Sequence, residues 1–252
     1  MNPSTNYQQL LRNLKYLKLK QMSLYLNEVV DFGVKNQMSF IDTLIKFTNY
    51  EIDVREQIMT QSMVKVAGFP HLKEIKDFDF TFQTSINQRQ ILDFLTLRFI
   101  EQNENIVFLG PGGVGKTHLV PEIGTAAAKK RTSTYFIKCH ELIQNLKCAR
   151  LENRLEDRLK HYTKYKVLII DDIGYLPIDQ EEAKLFFQLI DMRYERRNTI
   201  LTTNVNFRAW DEVFQEPKLA NARLDRILHH AIVVTMVVDS YRLKNHFAKE
   251  NE

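Results

Sequence analysis

The segment from Gly110 to Thr117, GPGGVGKT, has residue types and a spacing suited to holding phosphate groups. Its glycines let the backbone curl so that successive N–H groups point at phosphate oxygens, and a following helix adds the positive end of its dipole. Lys116 can reach the β- and γ-phosphates, and the Thr117 hydroxyl can ligate Mg²⁺. The pattern therefore predicts a P-loop that binds ATP and Mg²⁺. The nucleotide-binding residues predicted from it are Gly110, Pro111, Gly112, Gly113, Val114, Gly115, Lys116, Thr117 and His118.

Two carboxylates follow an apolar run further along the chain. Val167–Ile170 predicts a buried strand, and Asp171 and Asp172 come directly after it. Ligands of open α/β sheets bind outside the carboxyl ends of the strands. We therefore expect Asp171 to hold Mg²⁺, usually through water, and Asp172 to orient or deprotonate the attacking water. The alternative interpretation is a plain strand followed by an acidic turn, which the P-loop upstream disfavours.

Another polar cluster lies at the end of a further apolar run. Thr202, Thr203 and Asn204 end the run that begins at Thr199. Polar side chains at this place can contact the γ-phosphate and position water. The alternative is a simple turn signal.

The elements that must position these residues form an alternating pattern of strands and helices. Helical stretches separate the first four of five apolar runs, which predicts a parallel sheet with helices on both faces. The predicted strands are Ile106–Leu109, Tyr135–Ile137, Val167–Ile170, Thr199–Thr202 and Ile232–Val238.

The first part of the chain has a helical pattern instead. Leu10, Leu11, Leu14 and Leu17 define one apolar helix face, and Ser39 begins a predicted capping box for a second helix. Phe78–Phe82 alternates apolar and polar residues, as in an edge strand or an extended linker. We therefore predict a small all-α domain at residues 1–70, for contacts with DNA, partners or other copies, and an α/β domain at residues 71–252.

Composition and charge restrict the class of protein. The chain has 252 residues, 44% of them apolar, and a net charge of only +4. An apolar signal core and a run long enough for a membrane helix are both missing from the sequence, so a soluble protein of the bacterial cytoplasm, without membrane contact, is expected. The pairs His229–His230 and Cys139–His140 lack a third ligand at useful spacing, so a transition-metal site is not predicted there.

Basic residues form two candidate DNA contacts. Four of them fall within nine residues near the start of the chain, where acidic residues are missing. Four more recur at helical spacing and would form one stripe able to follow phosphates, unless Asn153 ends one helix and starts another. The DNA-binding candidates are Arg12, Lys15, Lys18, Lys20, Lys147, Arg150, Arg154 and Arg158.

The motifs together resemble a known family. GPGGVGKTHL, LIIDDIGYLP, ILTTN and FRAWDEVFQEPKLANARLDRILHHA are similar to the IstB-like ATP-binding proteins of insertion sequences, and the resemblance covers nearly the whole chain. It implies an AAA+ P-loop ATPase related to helicase loaders. It also implies oligomers on double-stranded DNA that help the transposase of the same element to select its target. The alternative is a DnaC-like replicative helicase loader, which a replication operon beside the gene, rather than a transposase gene, would indicate.

The resemblance also implies roles for single residues. Lys116 and Thr117 match the P-loop pair, and Asp171 matches the magnesium aspartate. Asp172 stands where the family often has Glu, and Asn204 matches the sensor residue at the end of its strand. Two arginines are candidates for the arginine finger that completes a neighbour's site: Arg226 in the LDR motif and, second, Arg223. Pro121 departs from the family pattern and could kink the helix after the P-loop.

Overall fold

A computed structural model of the chain describes residues 3–70, 75–215 and 224–237. Contacts divide the chain into two compact units, Met1–Ser62 and Met63–Glu252. The functional division at residues 70 and 71 stays a prediction.

In its described residues the first unit is built from helices. Its core joins Leu26, Val29 and Phe47, and Tyr25 stacks on Tyr50 with ring centroids 4.6 Å apart. The helical character predicted for this part of the chain is confirmed. The helices are α1 (Pro3–Tyr16), α2 (Lys20–Leu24), α3 (Leu26–Lys35) and α4 (Phe40–Val66), and α4 continues past the end of the unit.

The predicted apolar face of α1 is only partly buried. Leu14 is 5% exposed, but Leu10 is 42% and Leu17 is 59% exposed. Helix α1 ends at Tyr16, so Leu17 lies in a turn and not on the helix face. The prediction of one continuous apolar face through Leu17 is therefore wrong.

The predicted start of α4 at Ser39 is confirmed, with one difference. The Ser39 hydroxyl accepts a hydrogen bond from the Asp42 backbone N–H at 3.1 Å, as a helix cap does. The Asp42 carboxylate, however, accepts from the Ser39 hydroxyl at 2.6 Å. Asp42 is one methylene shorter than the Glu of a full capping box, which gives it less reach toward the Ser39 backbone N–H.

The second unit contains the predicted parallel sheet. All pairings among its five described strands are parallel, and the order is β2-β3-β4-β1-β5. The inner strands are buried nearly throughout, because helices cover both faces of the sheet. The strands are β1 (Asn105–Leu109), β2 (Thr134–Lys138), β3 (Val167–Ile173), β4 (Asn198–Thr203) and β5 (Ala231–Thr235).

Helices pack on the sheet in two layers, each with its own apolar core. Val107 belongs to the core that contains Phe186, whereas its neighbour Phe108 belongs to the core with Leu119. None of the helices in the described ranges combines the length and the apolar content needed to cross a bilayer. The helices are α5 (Gln88–Thr96), α6 (Arg98–Glu101), α7 (Lys116–Lys129), α8 (Cys139–Leu151), α9 (Leu155–Thr163), α10 (Gln180–Arg193) and α11 (Trp210–Phe214), and residues 224–228 form a further helical turn.

Residues 78–82 form turns and not the predicted edge strand or extended linker. The Asp79 carboxylate accepts hydrogen bonds from the backbone N–H groups of Thr81 and Phe82, both at 3.1 Å. Such a side chain closes a local turn that competes with strand pairing. Phe78 and Phe80 nevertheless pack against the core on the α7 side of the sheet.

The predicted basic stripe is divided between two helices. Helix α8 ends at Leu151, Asn153 adopts a left-handed conformation with φ 55°, and α9 begins at Leu155. The four basic residues therefore do not form one continuous row, because the helical path breaks at Asn153 between the two helices. Three of the four cations also lie in ion pairs: Lys147 with Glu182, Arg150 with Glu181 and Arg154 with Glu152.

A buried arginine anchors the end of α10. Arg193 is 1% exposed and donates hydrogen bonds of 2.6–3.1 Å to the carbonyl oxygens of Tyr162, Tyr165 and Asn198 and to the Thr199 hydroxyl. Burial lowers the pKa of Arg193 to about 9. The guanidinium thereby joins the end of α10 to α9 and to the start of β4.

Candidate nucleotide-binding site

Two glycines of the loop between β1 and α7, Gly110 and Gly115, are required by conformation or by close contacts. Gly115 has φ 103°, and a Cβ atom there would lie 2.6 Å from a ring carbon of Phe78. A Cβ atom on Gly110 would collide with the carbonyl oxygen of Met236. Larger residues at these two positions would push the loop away from its neighbours.

Lys116 opens α7 and folds back into the loop. It is 6% exposed, and its Nζ donates hydrogen bonds to the carbonyl oxygens of Gly110 at 2.5 Å and Pro111 at 2.7 Å. The charge is thus held inside the curve of the loop, where phosphate oxygens would lie. The next residue, Thr117, is exposed at the first turn of the helix.

Helix α7 continues through Pro121 to Lys129. The proline is buried and does not end the helix. The first turn, with Lys116 and Thr117, therefore belongs to the same helix as the rest of α7.

Asp171 lies near the carboxyl end of β3 and is fully buried. The Thr202 hydroxyl donates a hydrogen bond to one of its carboxylate oxygens. Burial raises the pKa of Asp171; the Thr202 hydrogen bond lowers it, the Asp172 charge raises it, and the Lys116 and Lys138 charges lower it. The charges of Lys116 and Lys138 therefore favour the ionised form of this buried carboxylate.

Asp172 is separated from Asp171 by an irregularity in β3. The pairing register with β4 shifts between Ile170 and Ile173, and Asp172 has φ 62°. The Thr202 hydroxyl accepts a hydrogen bond from the Asp172 backbone N–H at 2.9 Å, which holds the irregular backbone. One carboxylate therefore points inward and the other is exposed. Such strained conformations occur preferentially at functional sites.

The polar cluster at the end of β4 divides in the same way. Thr202 and Thr203 are fully buried, and the Thr203 hydroxyl donates to the carbonyl oxygen of Ile173 at 3.0 Å. Asn204 is exposed. The hydroxyls of the two threonines hold the neighbouring backbone, whereas the Asn204 side chain is exposed. The contact of this cluster with the γ-phosphate stays a prediction.

The sheet order brings most of the predicted residues together. Strand β4 lies between β1 and β3, so the P-loop, Asn204 and the two aspartates follow adjacent carboxyl ends. Lys138 ends β2 and pairs in register with Asp171, so it also lies at the carboxyl ends of the strands. It was not predicted from the sequence as a site residue. A polar residue between a strand and a helix was the available signal for it.

Arg226 lies near the amino ends of the strands, whereas the P-loop follows the carboxyl end of β1. Its guanidinium forms an ion pair with Asp191 at 2.8 Å and lines a cleft with Asn105 and Thr199, near the amino ends of β1 and β4. The two ends of β1 are about 13 Å apart. Arg226 is therefore remote from the P-loop of its own chain. Arg223, the second candidate, lies outside the described residues.

The residues present fit a magnesium ion. Within the described part of the chain, the second carboxylate oxygen of Asp171 is buried and without a hydrogen-bond partner. The exposed Thr117 hydroxyl lies at the start of α7. Oxygen donors of this kind, together with phosphate oxygens and water, are the ligands that Mg²⁺ prefers. The buried oxygen would gain from an ion or an ordered water that the ion holds.

Comparisons with known proteins identify the family of the chain. The family model of IstB-like ATP-binding proteins matches residues 12–249. The presumed ATP-binding protein of insertion sequence IS232 from Bacillus thuringiensis is 72% identical, over 98% of this chain and 99% of the relative. Its counterpart in IS5376 from Geobacillus stearothermophilus is 39% identical, over 94% of both chains.

Solved structures support the fold. DnaI matches with a TM-score of 0.54 and 20% identity, over 70% of this chain and 93% of that chain. AMPPCP-bound DnaA from Aquifex aeolicus matches with a TM-score of 0.57 and 19% identity, over 73% of this chain and 56% of that chain. The predicted AAA+ P-loop fold is thereby confirmed.

Proposed function

The chain belongs to the family of IstB-like ATP-binding proteins, and from this premise we propose that it is an ATP-hydrolysing, DNA-binding helper of a transposase in insertion-sequence transposition. The observation that carries the proposal is that the proposed catalytic residues lie at opposite ends of the strands. The P-loop and Asp171 lie at the carboxyl ends, and Arg226 lies near the amino ends. A chain of this kind completes its site only when a second copy supplies the arginine.

Each site residue at the carboxyl ends of the strands has a distinct role. Lys116 and the backbone N–H groups of the loop would bind the β- and γ-phosphates, and Thr117 and Asp171 would hold the magnesium ion. The exposed Asp172 carboxylate accepts a proton from the attacking water, which Asn204 helps to orient. Bound Mg²⁺ supplies neutralising charge to the phosphate oxygens.

The two aspartates should differ in their roles on mutation. Asp171→Asn should weaken magnesium-dependent ATP binding, because the amide is a poorer partner for the hydrated ion. Asp172→Asn should leave ATP bound and slow hydrolysis roughly a hundredfold, the size of a general-base contribution. Asn adopts φ 62° readily, so the second change adds little strain.

Nucleotide titration and single-turnover hydrolysis measure the two effects separately. Titrations with and without Mg²⁺ isolate the role of Asp171. Hydrolysis by Asp172→Asn at the unchanged rate would remove this residue as the group that activates water.

We propose that DNA is contacted mainly through the basic cluster of the first unit. Its four side chains are exposed, and they follow one another in and after α1. The cations of α8 are instead paired with acids of α10: hydrogen bonds from Lys184 and Arg150 lower the pKa of Glu181 to about 2, so this acid stays ionised at neutral pH. The basic cluster consists of Arg12, Lys15, Lys18 and Lys20.

Binding to duplex DNA should be independent of sequence and sensitive to salt. Replacing the four residues of the basic cluster by Gln should weaken binding and reduce the dependence of affinity on salt, because fewer counterions are released. The matched control is Lys147→Gln with Arg150→Gln, in which both cations have acidic partners, and it should change little. Fluorescence anisotropy at several salt concentrations measures both. Binding that ignores salt, or that requires one defined sequence, would contradict the proposal.

A further inference from the structure

A cluster of side chains that could bind a metal lies near the amino ends of the strands, away from the P-loop. The sequence pattern predicts no metal at His229–His230, because a third ligand is missing nearby. The structure supplies one from a distant segment: ligand atoms of Glu195, His229 and His230 all lie within 4.8 Å of one another. The His230 Nε2 is 3.8 Å from a Glu195 carboxylate oxygen. Neither the P-loop nor the magnesium ligands use these residues.

Hydrogen bonds hold the backbone on both sides of the cluster. Glu195 follows α10, whose end is anchored by the hydrogen bonds of Arg193, and it has φ 55°. The Asn105 backbone N–H donates to the carbonyl oxygen of His230 at 2.7 Å, which fixes the approach to β5. The cluster therefore joins the segment after α10 to the segment before β5, which this hydrogen bond ties to the start of β1.

A neighbouring group orients one of the imidazoles. The Tyr194 hydroxyl lies 3.0 Å from His229 Nδ1, in hydrogen-bond contact. This contact leaves Nε2 of His229 available as a ligand. A hydrogen bond to the second ring nitrogen is the usual support of a metal-binding histidine.

The donor set selects a class of ion. Two imidazoles and one carboxylate match the three protein ligands of open zinc sites, with a fourth position for water. Ions such as Mg²⁺ prefer oxygen ligands alone. Ligand atoms around a tetrahedral zinc ion are roughly 3.3 Å apart. The 3.8 Å between His230 Nε2 and the Glu195 carboxylate oxygen is longer, and rotation of these exposed side chains can shorten it.

We propose that Glu195, His229 and His230 bind a divalent transition-metal ion of the zinc class. The ion links the end of α10, where Asp191 lies one turn before Glu195, to the segment that carries Arg226. It thereby fixes the element on which the arginine is presented. Metal binding does not rest on the proposed function, since the three ligands lie within one chain.

The test is calorimetric titration of the untagged protein with Zn²⁺, without nucleotide and with Mg²⁺ in excess. Because the exposed Cys148 thiol can itself bind zinc, every variant is made in a Cys148→Ser parent. The parent should bind one equivalent. His230→Ala, His229→Ala and Glu195→Gln should each weaken the affinity at least about tenfold. The matched control is His140→Ala, which removes an exposed histidine that also lies beside a glutamate, at 4.0 Å from Glu141.

A second measurement separates metal binding from folding. Without Zn²⁺ the variants should unfold at the temperature of the parent, because the three side chains are exposed. Zn²⁺ should raise the unfolding temperature of the parent and of His140→Ala only. A parent that binds no stoichiometric Zn²⁺, or ligand variants that bind it as tightly as the parent, would overturn the proposal.

Discussion

Arg226→Ala is expected to bind ATP as the unchanged chain does and to hydrolyse it about a thousandfold more slowly in DNA-bound oligomers. The P-loop of the variant is intact, and Arg226 lies near the amino ends of the strands, remote from the P-loop of its own chain. An arginine supplied by a neighbour neutralises charge that develops on the γ-phosphoryl group. Its loss therefore affects hydrolysis and leaves binding unchanged.

Mixing two inactive variants tests whether Arg226 acts in trans. Lys116→Ala keeps the arginine but lacks the P-loop cation, whereas Arg226→Ala keeps the P-loop. In mixed oligomers some interfaces join an intact P-loop to an intact arginine, so part of the activity should return. The measurement is the ATPase rate against the mixing ratio, with DNA present. A strictly additive line in verified mixed oligomers would exclude Arg226 as the finger and leave Arg223 as the next candidate.

The ion pair with Asp191 provides the matched control. Half of the Arg226 side chain is exposed, and pairs of this kind contribute about 0–1 kcal/mol to stability. Asp191→Asn should therefore fold normally and keep its hydrolysis. If Asp191→Asn were as slow as Arg226→Ala, the arginine would act through the ion pair within its own chain.

Lys116→Ala should lower the affinity for ATP roughly a hundredfold. The Nζ atom lies inside the loop, where it donates to the carbonyl oxygens of Gly110 and Pro111, and bound ATP would replace these two acceptors with oxygens of its β- and γ-phosphates. Two such bonds contribute about 3 kcal/mol, and each 1.4 kcal/mol corresponds to a factor of ten.

Titration with a fluorescent ATP analogue measures this loss. The matched control is Lys129→Ala, which removes an exposed lysine from the other end of α7 and should bind ATP normally. Thermal unfolding checks that the loop variant is folded. Unchanged affinity in folded Lys116→Ala would contradict the assignment of the P-loop.

Those parts of the site that depend on local sequence could be predicted. Curled backbone at Gly113 and Gly115 follows from residue type, and the apolar runs before Gly110 and Asp171 predict buried parallel strands. These signals lie within a few residues of the groups they position. They sufficed for the fold and for the arrangement of the glycine-rich loop and the two aspartates at the carboxyl ends of the strands.

The differences arise where a single side chain or a distant segment decides the structure. Asp79 closes a turn that overrides the alternation at residues 78–82, and Asn153 in a left-handed conformation divides the basic stripe. Thr202 holds the irregular backbone at Asp172 from another strand. Glu195 joins His229 only through the tertiary fold, so hydrophobic periodicity contains no signal for that cluster.

Electron microscopy of the protein with duplex DNA, with and without a non-hydrolysable ATP analogue, tests the central claim most directly. The proposed helper assembles on DNA when nucleotide occupies the P-loop and a neighbour's Arg226 completes the site. Ordered oligomers on DNA are therefore predicted with the analogue, and not without it or with Lys116→Ala. Separate protomers in every condition, or the same assemblies without nucleotide, would contradict the account.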